Sequence, residues 1–219
     1  MTSAPAPAAP PAPETGRHRR IEGSTARPAP ARGIADQVVR ALCLTFLKLV
    51  GWKLRGDWPG TPKAVLLAAP HTSNWDGLLM LAAAGAYRVK LRWMGKRALV
   101  EGPFGGLVRR AGCVPVDRSA ANGMVESMAE AFAAADDLVL AIAPEGSRTR
   151  TEVWKRGYWL IAARAGVPIV FSVLDFGTKT IFLSGVLHPG DDFDADWPLI
   201  RAHYAAARGK HPEKFALPA

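Results

Sequence analysis

Apolar positions change their spacing repeatedly along this chain, and each change marks an element. Residues 64–69 (AVLLAA) form a short unbroken apolar run, the pattern of a strand buried on both faces. Residues 75–87 carry helical periodicity, 89–94 alternate as a strand does, and 104–111 read as a short helix stopped at Gly112. A short strand at 113–116, a helix at 124–135 and a second buried strand at 138–143 (LVLAIA) follow. The remainder reads as a helix over 157–165 stopped at Gly166, strands at 168–174 and 180–187, and a closing helix over 197–207. Strands alternating with helices predict a single α/β domain over 59–219, a mixed and largely parallel sheet flanked by helices.

The upstream segment has a different pattern. On a helical wheel, Ile34, Val38, Ala41, Leu42, Phe46, Leu49, Val50 and Trp52 share a broad apolar sector. Gln37, Arg40, Lys48 and Arg55 gather on the opposite strip, with Leu44 and Leu47 intruding. The charge-free stretch over 41–47 falls far short of the roughly 20 residues a spanning helix needs. Two readings of 34–58 stay open: a basic amphipathic helix lying in a membrane interface, or a helix packed on the domain core. The width of the apolar face favours a membrane or a deep groove. Residues 1–33 hold prolines at 5, 7, 10, 11, 13, 28 and 30, which block helix and sheet alike. No apolar run follows a charged start, so this stretch is expected to be a disordered, mildly basic tail and not a secretory signal.

Charge adds a class of partner. Across 219 residues, 28 Lys and Arg against 19 Asp and Glu give a formal net charge of +9, which favours phosphate esters, nucleic acid or an anionic membrane surface. Aromatics interleave with basic residues only at 154–159, too little for a nucleic-acid surface, so nucleic acid is not the expected partner. Two cysteines, Cys43 and Cys113, exclude a disulfide scaffold and a Cys-rich zinc site, and suit a reducing compartment. The histidines are scattered without a metal-binding spacing, and Asp191, Asp192 and Asp194 read as a solvated acidic loop, so no metal is expected.

Two polar clusters follow the two buried strands, where ligands gather in such sheets. The first is Pro70-His71-Thr72-Ser73-Asn74-Trp75-Asp76. On one continuous helix His71 and Asp76 would point about 140° apart. A strand–turn–helix corner removes that objection: Ser73 can cap a helix with Asp76 at its third position, while His71 hangs from the turn before it. A carboxylate beside one imidazole nitrogen fixes the tautomer and leaves the other nitrogen as a base. The plainer alternative is that Asp76 only completes a capping box. The second cluster is Glu145-Gly146-Ser147-Arg148-Thr149-Arg150, whose N–H groups and guanidinium forks suit a phosphate. Its alternative is an ordinary polar turn with surface arginines.

His-x-x-x-x-Asp followed about 70 residues later by Glu-Gly-Ser-Arg, each after an apolar strand, resembles the glycerolipid acyltransferase family, in its 1-acylglycerol-3-phosphate acyltransferase type. Gly112-Cys113-Val114-Pro115-Val116-Asp117-Arg118, Gly166-Val167-Pro168-Ile169-Val170 and Trp93-Met94-Gly95-Lys96 with Phe104-Gly105-Gly106 resemble further blocks in the family's order. Pro115 stands where the family usually has an aromatic residue, and Ser147 where Thr is more usual. The resemblance implies transfer of an acyl group from acyl-CoA or acyl carrier protein to a lysophospholipid, peripherally on the cytoplasmic face of an anionic membrane, without cofactor or acyl-enzyme. It implies His71 as general base and Asp76 as its orienting, charge-compensating partner. Arg118 and Arg148 would hold the acceptor phosphate, and Lys96 would add a cation. Glu145 would order its loop or bind a glycerol hydroxyl, and N–H groups near Gly146, beside Ser147, would stabilise the oxyanion. Another hydroxyl-bearing acceptor, or a non-catalytic basic surface protein, is the alternative.

Overall fold

A computed structural model describes residues 16–21, 25–110, 112–116 and 121–219. Arg118 lies outside the described residues, as does most of the Ala/Pro-rich start. The elements run β1 (His18–Arg20), α1 (Ile34–Leu49), β2 (Lys53–Arg55), β3 (Lys63–Ala69), α2 (Asn74–Tyr87), β4 (Leu91–Lys96), α3 (Arg97–Glu101) and α4 (Gly105–Arg110). They continue with β5 (Cys113–Val116), α5 (Ala121–Ala134), β6 (Leu138–Ile142), α6 (Gly157–Ala165), β7 (Ile169–Asp175), β8 (Thr180–Leu187), α7 (Phe193–Tyr204) and a 3-10 turn at Pro212–Lys214.

The strands form one sheet in the order β1-β8-β7-β3-β6-β4-β5, with β2 also on β8. β7, β3, β6, β4 and β5 are mutually parallel, and β8 turns back antiparallel on β7. The apolar run of β3 has its cause in this position. It lies inside the sheet with helices on both faces, so both sets of alternate side chains are buried. Val65, Leu67 and Ala69 pack with Phe132 of α5, Ile161 of α6 and Tyr204 of α7. Ala64 and Leu66 pack with Leu47 of α1 and with Leu79 and Ala83 of α2.

The amino-terminal stretch corrects the expectation of a tail disordered through residue 33. His18–Arg20 pairs antiparallel with β8, His18 opposite Leu187 and Arg20 opposite Gly185. The reason is the open edge of β8: an edge strand presents unpaired N–H and C=O groups, and a short basic strand satisfies them while keeping the edge polar. The contact is specific, because His18 is buried and its Nε2 lies 2.9 Å from Nε2 of His203 on α7. One ring must donate and the other accept, so the pair cannot hold two added protons in this geometry. Burial, then the neighbouring His18 and Arg20 charges, pushes His203 down to about 3. Its folded pKa is below the unfolded value of about 6.5, so its stability contribution is complete above that pH and shrinks as pH falls toward 3. The unfolding free energy from urea titration should therefore drop between pH 7 and pH 5, by up to about 1.4 kcal/mol per pH unit, and more shallowly in His203→Gln.

The helix expected over 34–55 ends at Leu49. The N–H groups of Gly51 and Trp52 close on Lys48 O and Leu47 O, and Gly51 takes the left-handed φ of 76° that turns the chain. Lys53–Arg55 then pairs parallel with β8, so Arg55 belongs to a strand and not to the helix's basic strip. α1 packs closely on α2 because Gly85 leaves a notch: a Cβ there would lie 2.5 Å from Cys43 Sγ. Leu47, which the wheel placed among polar residues, is the buried anchor. Much of the broad apolar sector faces outward instead, with Ile34 at 80%, Leu42 at 65% and Leu49 at 81% exposure. Among the described residues no helix is long and apolar enough to cross a membrane.

The acidic residues Asp191, Asp192 and Asp194 are solvent-exposed as expected, but the run is also the start of a helix. Asp192 caps α7, accepting from Asp194 N–H at 2.9 Å, so the helix begins four residues before the expected start at Trp197.

Candidate active site

β3 and β6 are adjacent and parallel, with Leu67 opposite Ile142. The segments after them therefore leave the same edge of the sheet side by side, and residues 74 positions apart in sequence meet there. Ser73 caps α2 and Asp76 occupies the third helical position, where its carboxylate accepts the cap's own N–H, the capping box the spacing predicts.

That carboxylate does more than cap. Asp76 is 2% exposed. Its Oδ2 accepts from Thr72 N–H at 2.6 Å and Ser73 N–H at 2.7 Å, and its Oδ1 accepts from Ser73 Oγ at 2.6 Å. The Nδ1 of His71 stands 3.4 Å from the same Oδ2. This is longer than a formed N–H···O bond, and catalytic pairs are commonly loose before substrate tightens them. Burial pushes the Asp76 carboxyl up, but the facing His71 imidazole and the hydrogen bonds from Ser73 and Thr72 outweigh it and hold the group below the usual carboxylate range. A buried anion thus faces Nδ1. The His71 side chain is 29% exposed, and its Nε2 has no partner among the described residues. The arrangement leaves Nε2 available as a proton acceptor.

Glu145 fixes the backbone of the same residue. It is buried, and its Oε1 accepts from His71 N–H at 2.9 Å. The other oxygen is buried without a partner, and burial pushes the carboxyl up to about 7. Glu145 is expected from the sequence to order its own loop or bind a glycerol hydroxyl; its hydrogen bond runs instead to the His71 turn. Gly146 takes φ 67°, and its own N–H donates to Ala143 O at 3.1 Å, so the expected oxyanion donors near Gly146 fall to the neighbouring N–H groups. Ser147 Oγ shares a 2.9 Å hydrogen bond with Thr149 Oγ1 within the turn.

Arg148 donates to Asn74 Oδ1, a second tie between the two segments, and its side chain is exposed. Arg150 instead pairs with Glu152 at 2.8 Å and donates to Phe215 O at 3.2 Å, which clamps the loop to the chain's last residues. Lys96 ends β4 at the same edge of the sheet as His71. A cleft of about 390 Å³ opens beside residues 72–75, walled by Arg148 and by Lys210, His211 and Lys214. The sequence reading missed these three. They follow the last periodic segment, and their only sequence signal is the basic run from Arg208 to Lys214.

The two thiols lie on other elements. Cys43 lies between α1 and α2, Cys113 begins β5, which β6 and β4 separate from β3, and burial raises both.

No curated protein matches the chain in sequence. The crystal structure of the 1-acyl-sn-glycerophosphate (LPA) acyltransferase PlsC from Thermotoga maritima is similar in fold, with a TM-score of 0.53 and 15% identity over 80% of this chain and 81% of that one. The Acyltransferase family model matches residues 58–173, a span that includes His71, Asp76 and the Glu145–Arg148 turn. With more than half its length matched, this chain belongs to the Acyltransferase family.

Proposed function

We propose that the protein transfers a fatty acyl group from an acyl thioester, acyl-CoA or acyl carrier protein, to the free hydroxyl of a lysophospholipid. The acceptor is 1-acylglycerol-3-phosphate and the product phosphatidic acid. The observation that carries this reading is the buried Asp76 anion facing Nδ1 of His71, with Nε2 unpartnered among the described residues and a cationic cleft lined by the residues that directly follow His71. Nε2 takes the proton of the acceptor hydroxyl, and the oxygen attacks the thioester carbonyl. The tetrahedral intermediate collapses with cleavage of the C–S bond, and the leaving thiolate takes the proton from the imidazolium. Asp76 compensates the positive charge between these steps. Attack is direct: neither cysteine is placed or activated to carry an acyl group. Arg148, with Arg118, binds the acceptor phosphate.

The amphiphilic substrates require contact with a bilayer, and we assign that contact to the outward face of α1, peripherally on the cytoplasmic side. Ile34, Leu42 and Leu49 are exposed there, and each buries about 1.5–3 kcal/mol worth of apolar surface when fully covered.

A single assay tests both parts. Labelled acyl thioester is supplied with lysophosphatidate, lysophosphatidylcholine or monoacylglycerol, either on anionic vesicles or as short-chain monomers. Phosphatidic acid should be the main product. Leu42→Glu/Leu49→Glu should lose transfer to the vesicle-borne acceptor and keep it with the monomeric one. Equal transfer to all three acceptors would sink the phosphate reading, and unchanged vesicle activity in the variant would remove α1 from the membrane.

A further inference from the structure

Lys210 and Lys214 stand on a wall that the proposed reaction does not use. We propose that the segment over 209–214 completes the substrate site, with Lys210 and Lys214 recognising a phosphate group seated against the entry of α2. This inference rests on the acyl-transfer reading for the identity of its ligand, though not for the existence of the site.

Three observations carry it. The first is that the segment is built in, not draped. Gly209 lies against the catalytic turn so closely that a Cβ would come within 2.7 Å of Thr72 Cγ2 and 2.9 Å of Thr72 Oγ1. Two residues on, His211 N–H donates to Thr72 Oγ1 at 3.2 Å. On the other side, Arg208 N–H donates to Asp175 Oδ1 at 3.1 Å and Phe176 N–H to Arg208 O at 2.8 Å, fixing the segment to the end of β7. Its placement is therefore referenced to the residue next to His71.

The second is uncompensated charge. Among the described residues neither Lys210 nor Lys214 has a carboxylate partner, and Arg148 meets the neutral amide of Asn74. Glu213 faces His211 Nδ1 at 3.6 Å, and Glu145 accepts from His71 N–H. Asp76 spends its oxygens on the α2 cap, whose positive dipole end opens on the cleft. Three cations converge on about 390 Å³ of open space, enough for a phosphate and the first atoms attached to it.

The third is the floor. Lys210 Nζ stands 5.2 Å from the centre of the half-exposed Trp75 ring. A cation beside an apolar plate fits the junction of a phosphate head and the carbon skeleton behind it. A phosphate monoester reaches this reaction from two sources: the head group of the acceptor, or the ribose phosphate of a coenzyme A donor.

Calorimetric titration with a short-chain lysophosphatidate and, separately, with coenzyme A distinguishes them without turnover. In Lys210→Ala/Lys214→Ala, affinity for one of the two should fall about tenfold or more for each lysine removed, whereas Lys210→Arg should retain it. Loss toward lysophosphatidate assigns the cleft to the acceptor, and loss toward coenzyme A assigns it to the donor. Gly209→Val, which pushes the segment off Thr72 with both lysines intact, should show the same selective loss. Both ligands binding the double variant as tightly as the wild type, at unchanged melting temperature, would overturn the site. Wild-type protein that binds phosphate here but transfers no acyl group would sink the proposed reaction and leave the site standing.

Discussion

Replacing His71 with alanine should lower acyl-transfer turnover by about 10²–10⁴-fold while the protein stays folded. The two halves of this expectation have separate causes. The rate falls because Nε2 is the base backed by a buried carboxylate: Asp76 itself is saturated by donors, and Glu145 is buried with its Oε1 spent on a backbone N–H. The fold survives because the bond that locks this turn uses the His71 backbone, not its side chain. Alanine keeps that N–H, and the imidazole itself is partly exposed and outside both core clusters. The check is kcat at saturating substrates measured beside a thermal melt. Turnover within a few-fold of wild type would mean that another group takes the proton. Loss of the melting transition would mean that the side chain supports the fold.

The parts of this structure legible in the sequence are those where one residue pattern has one physical outcome. Unbroken apolar runs at 64–69 and 138–143 could only be satisfied by strands covered on both faces, and both became neighbouring parallel strands of the sheet. Ser73 and Asp76 at cap spacing placed the start of α2, and with it the position of His71 relative to its carboxylate. Illegible parts depend on what a segment meets. His18-Arg19-Arg20 has no apolar period, and becomes a strand because β8 offers an open edge and His203 a partner. The wheel of α1 located an apolar sector correctly, but the notch at Gly85 lies on α2 and turns that sector outward. Glu145 could be named as a functional residue from its turn. Its role as the acceptor for His71 N–H required knowing that β3 and β6 are adjacent. Lys210 and Lys214 belong to no motif, and only the fit of Gly209 against Thr72 brings them to the site.

Asp76→Asn should lower turnover by about 10²–10³-fold and should do so without changing the imidazole's orientation. An asparagine has one carbonyl oxygen and one NH₂ to place on the two carboxylate positions. The position of Oδ2 faces three donors, Thr72 N–H, Ser73 N–H and His71 Nδ1. An NH₂ there would oppose two backbone donors at 2.6 and 2.7 Å, so the carbonyl oxygen takes that place. The NH₂ then meets Ser73 Oγ, which can accept by rotating its proton. The proton on Nδ1 keeps its acceptor, and only the negative charge is lost. A charge pair at about 4 Å in an environment of effective dielectric about 20 is worth about 4 kcal/mol, which sets the upper end of the effect on a step that forms an imidazolium. Nitrogen NMR of the imidazole tests the orientation and kcat tests the charge. The expected result is a slow enzyme whose His71 still carries its proton on Nδ1. A slow enzyme with the proton moved to Nε2 would make Asp76 an orienting group instead, and near-normal turnover would remove it from the mechanism. Acid denaturation supplies an independent reading. Asp76 is held below the usual carboxylate range in the folded state, so its contribution is present above about pH 4 and is lost as pH falls through its folded pKa. The asparagine variant has no proton to take up there, and its stability should fall less steeply over that range.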